Sequence, residues 1–165
     1  MISQSLTDAL NEQLRQELYS SYLYLAMSAY TDSQNLPGFA HWLRIQANEE
    51  QAHAMRFYEF ILDRDGRVQL QSLPQPPRDF GSPLDLFEQV LAHEQEITSL
   101  IEQLYRKAAA AQDHATQIFL EWFITEQVEE EKTATQLLET LRMAGDNKVA
   151  LLMLDREVGA RQAGA

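Results

Sequence analysis

Apolar residues return every three or four positions through four long stretches of this chain, and midway along each the rhythm is broken by an acid, an amide or a histidine. One seam reads Phe87, Val90, Glu94, Ile97, Ile101, Leu104, Ala108. Another reads Leu120, Phe123, Gln127, Glu130, Ala134, Leu137, Leu141. A third reads Phe39, Leu43, Gln46, Glu50, His53, Phe57, Phe60, and near the N-terminus Glu17 stands between Leu10, Leu14 and Tyr24. Steps of three and four mark the stripe that a helix turns toward a core. Four long helices are therefore predicted, each carrying polar groups at mid-height where leucine is expected.

Capping and breaking residues set the boundaries. Ser5 or Thr7 can cap a first helix running to about Thr31, with Asp8 and Glu12 near its positive end. The turn Asn35-Leu36-Pro37-Gly38 leads into a second helix from Pro37 to Asp65, stopped by Gly66. Residues 67–82 hold Pro74, Pro76 and Pro77 and show no helical period. Ser82-Pro83 opens a third helix ending near Ala111. Asp113 caps a fourth that reaches Met143 and stops at Gly145, and a short fifth spans about 146–158. The long helices are each roughly 28–31 residues, or about 40–47 Å. Short links make two antiparallel hairpins, and the proline-bearing segment is long enough to run the length of the bundle between them. The expected fold is all-α: a four-helix bundle with one long crossover, plus a short C-terminal helix, with residues 1–165 forming one domain.

The two hairpins echo each other. An offset of 77 carries Glu17, Glu49, Glu50 and His53 onto Glu94, Glu126, Gln127 and Glu130. This faint duplication lies in the polar core positions and implies a pseudo-twofold axis near them, as a two-metal centre requires.

Composition narrows the chemistry. The chain has 165 residues, of which 45% are hydrophobic, enough for one real core. No apolar run is long enough to span a bilayer, and the N-terminus lacks the basic-then-apolar pattern of a signal peptide. Cysteine is absent, which excludes disulfides, Cys-ligated zinc and iron–sulfur clusters and suits a cytoplasmic location. A net charge of −12 disfavours nucleic acid and anionic membranes as partners and favours cations.

Burying several unpaired carboxylates together is very costly, and no Lys or Arg lies at the same level of the seams. A pair of metal ions compensates directly. Glu50 and His53, three apart, face the same way, and with Glu17 from the neighbouring helix they offer two carboxylates and an imidazole to one ion. Glu94 and Glu130 can hold a second, with Glu50 bridging and Gln127 either a further ligand or a hydrogen-bond partner of a bound water or oxygen species. The four carboxylates balance two divalent ions, and oxygen-rich ligation with one nitrogen suits iron or manganese. Without metal, the crowded carboxylates should raise one another's pKa. Glu126, Glu129 and Glu130, with Glu49 related to Glu126 by the same offset, suggest a third metal position; a solvated charged face is the plainer reading of the same residues. Tyr24, two turns from Glu17 on the same face, can donate an electron or simply bond a ligand carboxylate. Trp122 is read as packing or as a second electron source. His41, His93 and His114 miss the seam and are expected at the surface or an interface.

These residues resemble a family. Glu17 with Leu18-Tyr19-Ser20-Ser21-Tyr22-Leu23-Tyr24, then Glu49-Glu50-Gln51-Ala52-His53-Ala54, Glu94, and Glu126-Gln127-Val128-Glu129-Glu130-Glu131 are similar to the motifs of the bacterial non-haem ferritins, over essentially the whole chain. The resemblance implies a ferritin-like fold and a di-iron ferroxidase. Glu17, Glu50 and His53 would form one iron site and Glu50, Glu94 and Glu130 the other, with Gln127 nearby and Tyr24 beside the centre. Glu49, Glu126, Glu129 and Glu130 would bind a third iron. Fe(II) would be oxidised by dioxygen or hydrogen peroxide, and ferric mineral stored in a homo-oligomeric shell of twenty-four subunits, with the fifth helix at fourfold contacts and the negative charge drawing in Fe(II).

Differences from neighbouring families refine this. Bacterioferritins carry a second Glu-x-x-His on the fourth helix, where this chain has Gln127 and Glu130. Their haem-ligating Met follows the second helix's ligand Glu directly, and Gln51 stands there; haem is not expected, and Met55 reads as core. Rubrerythrins need a Cys-rich iron domain. Animal ferritins place acids at a threefold pore where this chain has Gln117 and Leu120, which puts admission by that pore in doubt unless Glu121 substitutes. The rival readings are a stand-alone di-iron oxidase or oxygenase, for which the apolar seams leave no evident substrate cavity, a peroxide-detoxifying protein, and a metal-free structural bundle.

Overall fold

Ser3, Ser82, Asp113 and Asn147 each turn a side-chain oxygen onto the first free amides of a helix, and these caps divide the chain. The computed structural model describes residues 2–164. Its helices are α1 (Gln4–Ser33), α2 (Pro37–Asp63), α3 (Pro83–Ala110), α4 (His114–Ala144) and α5 (Lys148–Val158), with no strand among the described residues. The first cap is Ser3, not Ser5 or Thr7. Leu6 is already in the core, so its turn must be helical and the cap falls three residues ahead of it. Ser82 and Asp85 form a reciprocal capping box at α3. At the end of α2 the left-handed turn is taken by Asp65 (φ 56°), not by Gly66. Gly66 is instead pressed against the chain, where a Cβ would lie 2.9 Å from the Ile61 carbonyl oxygen.

The polar positions form a layer between two apolar cores. One core gathers Tyr24, Met27, Phe39, Leu43, Phe87, Val90, Leu137 and Leu141, and the other Leu6, Leu10, Phe57, Ile61, Ile97, Ile101, Leu120 and Phe123. Along α1 and α4 the chain passes from the second core, through the polar residues, to the first; along α2 and α3 it passes the opposite way. α1 and α4 thus run together, antiparallel to α2 and α3. This is the all-α bundle with one long crossover, and α1 packs on α2, α3 on α4, and α1 on α3.

The crossover between α2 and α3 is pinned at both ends. Asn11 donates to the Arg67 carbonyl at 2.9 Å and accepts from the Gln69 amide at 2.7 Å. Val68 packs on the second core, and Phe80 is buried in the first. Gln89 and Tyr30 hold the far end by the carbonyls of Phe80 and Gly81. On α2 the core stripe continues through Phe57 to Ile61, leaving Phe60 only partly buried, stacked on Phe119. Met55, expected in the core, is 42% exposed on the outer face of α2. It lies two positions past His53, about 200° around the helix.

α5 packs on α2 and α4. Leu36 gives α2 no side-chain cap, and the buried Asp155 of α5 supplies one by accepting from the Phe39 amide at 2.9 Å. Gly38 makes this crossing possible, because a Cβ there would lie 1.7 Å from the Asp155 carbonyl oxygen.

Candidate metal centre

Each long helix presents its polar residues inward at the same height. Glu17, Gln46, Glu50, His53, Glu94, Gln127 and Glu130 are all buried, none more than 9% exposed. Ligand atoms of Glu17, Glu50 and His53 lie within 4.8 Å of one another, as do those of Glu50, Glu94 and Glu130. Glu50 belongs to both groups, so the two are adjacent and share a carboxylate. His53 Nδ1 lies 3.2 Å from Glu50 Oε2.

Amides and a phenol hold the carboxylates in place. Gln13 donates to Glu17 at 2.8 Å. Gln46 Nε2 donates to both Glu50 (2.9 Å) and Glu130 (2.8 Å). The Tyr24 hydroxyl donates to Glu94. Gln127 Nε2 faces Glu94, at 3.2 Å from its carboxylate and 3.1 Å from its backbone carbonyl. In this arrangement Gln127 orients Glu94 with its nitrogen.

The site resolves its crowding with protons. Burial, followed by the charge of Glu50, raises the Glu17 carboxyl to about 8 and Glu130 to about 7. The same two causes, with Glu130 in addition, push Glu94 well above the carboxylate range. Burial opposes charge on His53, but the hydrogen bond and charge of Glu50, with Glu17 and Glu130, outweigh it and raise the imidazole to about 9. Burial and the neighbouring Glu94 raise the Tyr24 phenol, which stays protonated. A metal binding here displaces protons rather than filling a charged void. The donor set fits hard or borderline divalent cations: carboxylate oxygens with one imidazole nitrogen and no sulfur.

The outer acids are dispersed. Glu126 and Glu130 gather with His53 in a third group within 4.8 Å. Glu129 points away, with its side chain 65% exposed near Lys132. Glu49 is gripped by Arg161 at 2.6 Å. The guanidinium also donates to Gln46 Oε1 at 3.0 Å and lies over the Trp42 ring, 4.5 Å from its centroid. The seams alone show no cation at this level, because Arg161 follows α5 and its sequence distance from Glu49 hides the contact.

His93 was expected at a surface or interface and is partly buried instead. It bonds Ser20 at 2.7 Å and meets the Tyr24 ring edge-on, and burial lowers its pKa. It stands one residue before Glu94, so the α1–α3 contact covers it. His41 and His114 are exposed, and His41 contacts the Arg161 carbonyl oxygen. Trp122 packs edge-on to His53 at 5.3 Å, and the Arg56 guanidinium lies over the Trp122 ring, 3.6 Å from its centroid. A groove of about 500 Å³ opens between α3 and α4, lined by Thr98, Ile101, Gln127 and Val128 among others. The seams gave no sign of it, since apart from Ile101 and Gln127 its walls come from residues flanking them.

Together the bundle and its lining define a class: four-helix proteins with buried carboxylates and a histidine, contributed by all four helices, that could hold metal ions. A family model for the ferritin-like domain matches residues 7–144. The chain is 40% identical over 161 residues to a bacterial non-heme ferritin of Bacteroides fragilis, covering 98% of this chain and all of that one. It is 38% identical to a bacterial non-heme ferritin of Staphylococcus aureus, over 98% of this chain and 97% of the other. An open-pore ferritin of the hyperthermophilic archaeon Archaeoglobus fulgidus superposes with a TM-score of 0.97 at 46% identity, covering 98% and 100% of the two chains. The chain belongs to the ferritin family.

Proposed function

We propose that the protein is an iron-storage ferritin whose subunit oxidises Fe(II) at an internal pair of iron sites and whose homo-oligomeric shell, of twenty-four subunits, collects the ferric product. The observation that carries this reading is Glu50, shared by two adjacent ligand groups in the polar layer. Family membership supports iron as the metal. Glu17, His53 and Glu50 hold one Fe(II); Glu50, Glu94 and Glu130 hold the other. Bound Fe(II) supplies the electrons that reduce dioxygen or hydrogen peroxide.

The protein's own residues prepare and time this. Glu17, Glu94, Glu130 and the His53 imidazolium give up protons as the cations enter, which keeps the buried charge near neutral. Gln46 aims Glu50 and Glu130, while Gln127 and Tyr24 aim Glu94. Tyr24, touching the Glu94 carboxylate, is the nearer one-electron donor, and Trp122 beside His53 the second. Glu126 and Glu130, with Glu49 and Glu129 swinging in, form a third iron position on the side of the bundle where His53 Nε2 stands 4.0 Å from Glu126. The whole chain acts as one cytoplasmic unit, and no helix among the described residues is long and apolar enough to cross a membrane.

The groove between α3 and α4 favours a second reading, a stand-alone di-iron oxygenase, because it is large enough for a small organic molecule and touches Gln127. Gln127 separates it from Glu94, and the groove is open to the surface. Light scattering and an anaerobic Fe(II) titration followed by air decide between the two. A shell-sized particle that binds at least two Fe(II) per chain and develops ferric absorbance supports the ferritin reading. A monomer or dimer that oxidises iron without retaining it overturns it.

A further inference from the structure

The C-terminal segment after α5 returns to the edge of the metal layer, and one side chain makes all its polar contacts there. The Arg161 side chain is 16% exposed. It bonds Glu49 Oε2 at 2.6 Å and Gln46 Oε1 at 3.0 Å, and it lies on Trp42. The Arg161 carbonyl oxygen is 3.0 Å from His41 Nε2, so backbone and side chain are both seated on α2. These partners share one face of α2, spaced by about one turn: Trp42, Gln46, Glu49. Gln46 is the same amide whose nitrogen donates to Glu50 and Glu130.

We propose that Arg161 is a built-in counter-cation that competes with metal for Glu49: while the guanidinium is seated, Glu49 is withheld from the third iron position and Gln46 is locked onto the di-iron carboxylates, and a metal recruits Glu49 only by unseating the tail. This rests on the third position proposed above. A carboxylate already paired with a partly desolvated guanidinium is electrically satisfied, so a metal gains only the difference between the two cations. Glu49 is accordingly absent from the three ligand groups, whereas Glu126 and Glu130 stand together. The Gln46 link carries the effect inward. With its oxygen held by a cation, the amide cannot rotate, and its two N–H bonds are fixed on Glu50 and Glu130. Arg161 is thus a positioning residue for the pair of sites and a lock on the third.

The test is anaerobic Fe(II) titration of the assembled protein by calorimetry, with amide hydrogen exchange of residues 159–164 followed at each equivalent. The variants are Arg161→Gln, Glu49→Gln and the double variant. In the wild type the first two equivalents should leave the tail protected, and the third should speed its exchange. Arg161→Gln should bind the third Fe(II) about ten-fold tighter, equivalent to about 1.4 kcal/mol, and Glu49→Gln in that background should abolish the gain. Arg161→Lys, which keeps the charge but not the fork, should fall between. Two normal steps with an unchanged third step in Arg161→Gln, or a tail equally protected at three equivalents, overturns this proposal alone. A wild type that fails to bind the first two ions overturns the di-iron reading and this proposal with it.

Discussion

Tyr24 of α1 donates its hydroxyl to Glu94 of α3, joining the two hairpins across the polar layer. Both groups are buried, and Glu94 is held well above the usual carboxylate range, first by burial and then by the charge of Glu50. Tyr24→Phe removes that donor and keeps the ring. Metal-free protein should lose about 1–3 kcal/mol in denaturant unfolding, the cost of leaving a buried acceptor short of a partner. Iron oxidation should slow while Fe(II) stoichiometry stays the same. Unchanged stopped-flow kinetics would remove Tyr24 from the reaction.

Glu50 serves both ligand groups and Glu130 only one of the pair. Glu50→Ala should therefore abolish tight binding of both Fe(II) ions of the pair and reduce fast oxidation by about a hundred-fold or more, whereas Glu130→Ala should remove one ion of the pair together with the third, weaker step. Calorimetric titration distinguishes the two. Loss of only one ion of the pair in Glu50→Ala would show that Glu50 is not shared.

Stability of the metal-free protein should fall as pH rises from about 4.5 to about 9. Glu17 and Glu130 ordinarily titrate near 4.5 but are held to about 8 and about 7 by burial and the charge of Glu50. His53 titrates near 6.5 when free and about 9 here, because the Glu50 contact outweighs its burial. The folded chain keeps more protons than the unfolded chain throughout this window, so each rise in pH favours unfolding. Asp113, lowered by Arg64, and His93, lowered by burial, have the opposite slope; the Asp113 window lies below 3.8, and His93, a single group acting below 6.5, is outnumbered there by Glu17, Glu94 and Glu130. Thermal melts of chelator-treated protein at pH 5, 7 and 9 measure the trend. Metal replaces the protons and should abolish it, and a metal-free midpoint that rises toward pH 9 would refute the protonated-cage account.

Arg64 at the end of α2 grips Asp113 through two hydrogen bonds of 2.9 and 3.0 Å, and Asp113 also caps α4 through the Thr116 amide. Asp113→Ala loses both and should cost about 1–3 kcal/mol. Asp113→Asn keeps the cap and should recover part of it. Denaturant midpoints that move by less than the error for both variants would show that the hairpins are held by apolar packing alone at this end.

Gly38→Ala should unseat α5, since the added methyl meets the Asp155 backbone at 1.7 Å. Loss of α5 protection in hydrogen exchange, with the four-helix core retained, is the expected result. Full protection of α5 in the variant would contradict the tight crossing.

The four helices and their polar layer were legible in the chain because burial has a period: a helix returns the same face every three or four residues, and Glu17, Glu50, His53, Glu94, Gln127 and Glu130 fell on that face. Helix ends were legible to within a few residues, since Ser82 and Asp113 cap by local chemistry, while Ser3 and Asp65 went unrecognised because the first core contact and the left-handed turn choose among neighbouring candidates. Local pattern could not reach contacts between distant segments. The Asp155 cap on α2, the fit of Gly38 beneath it, the burial of His93 against Tyr24 and the Arg161 grip on Glu49 have no periodic signature. They depend on where α5 crosses and how the hairpins meet, which packing of whole surfaces decides. The chain determined which groups face inward; the tertiary structure decided which of them are aimed, protonated or paired.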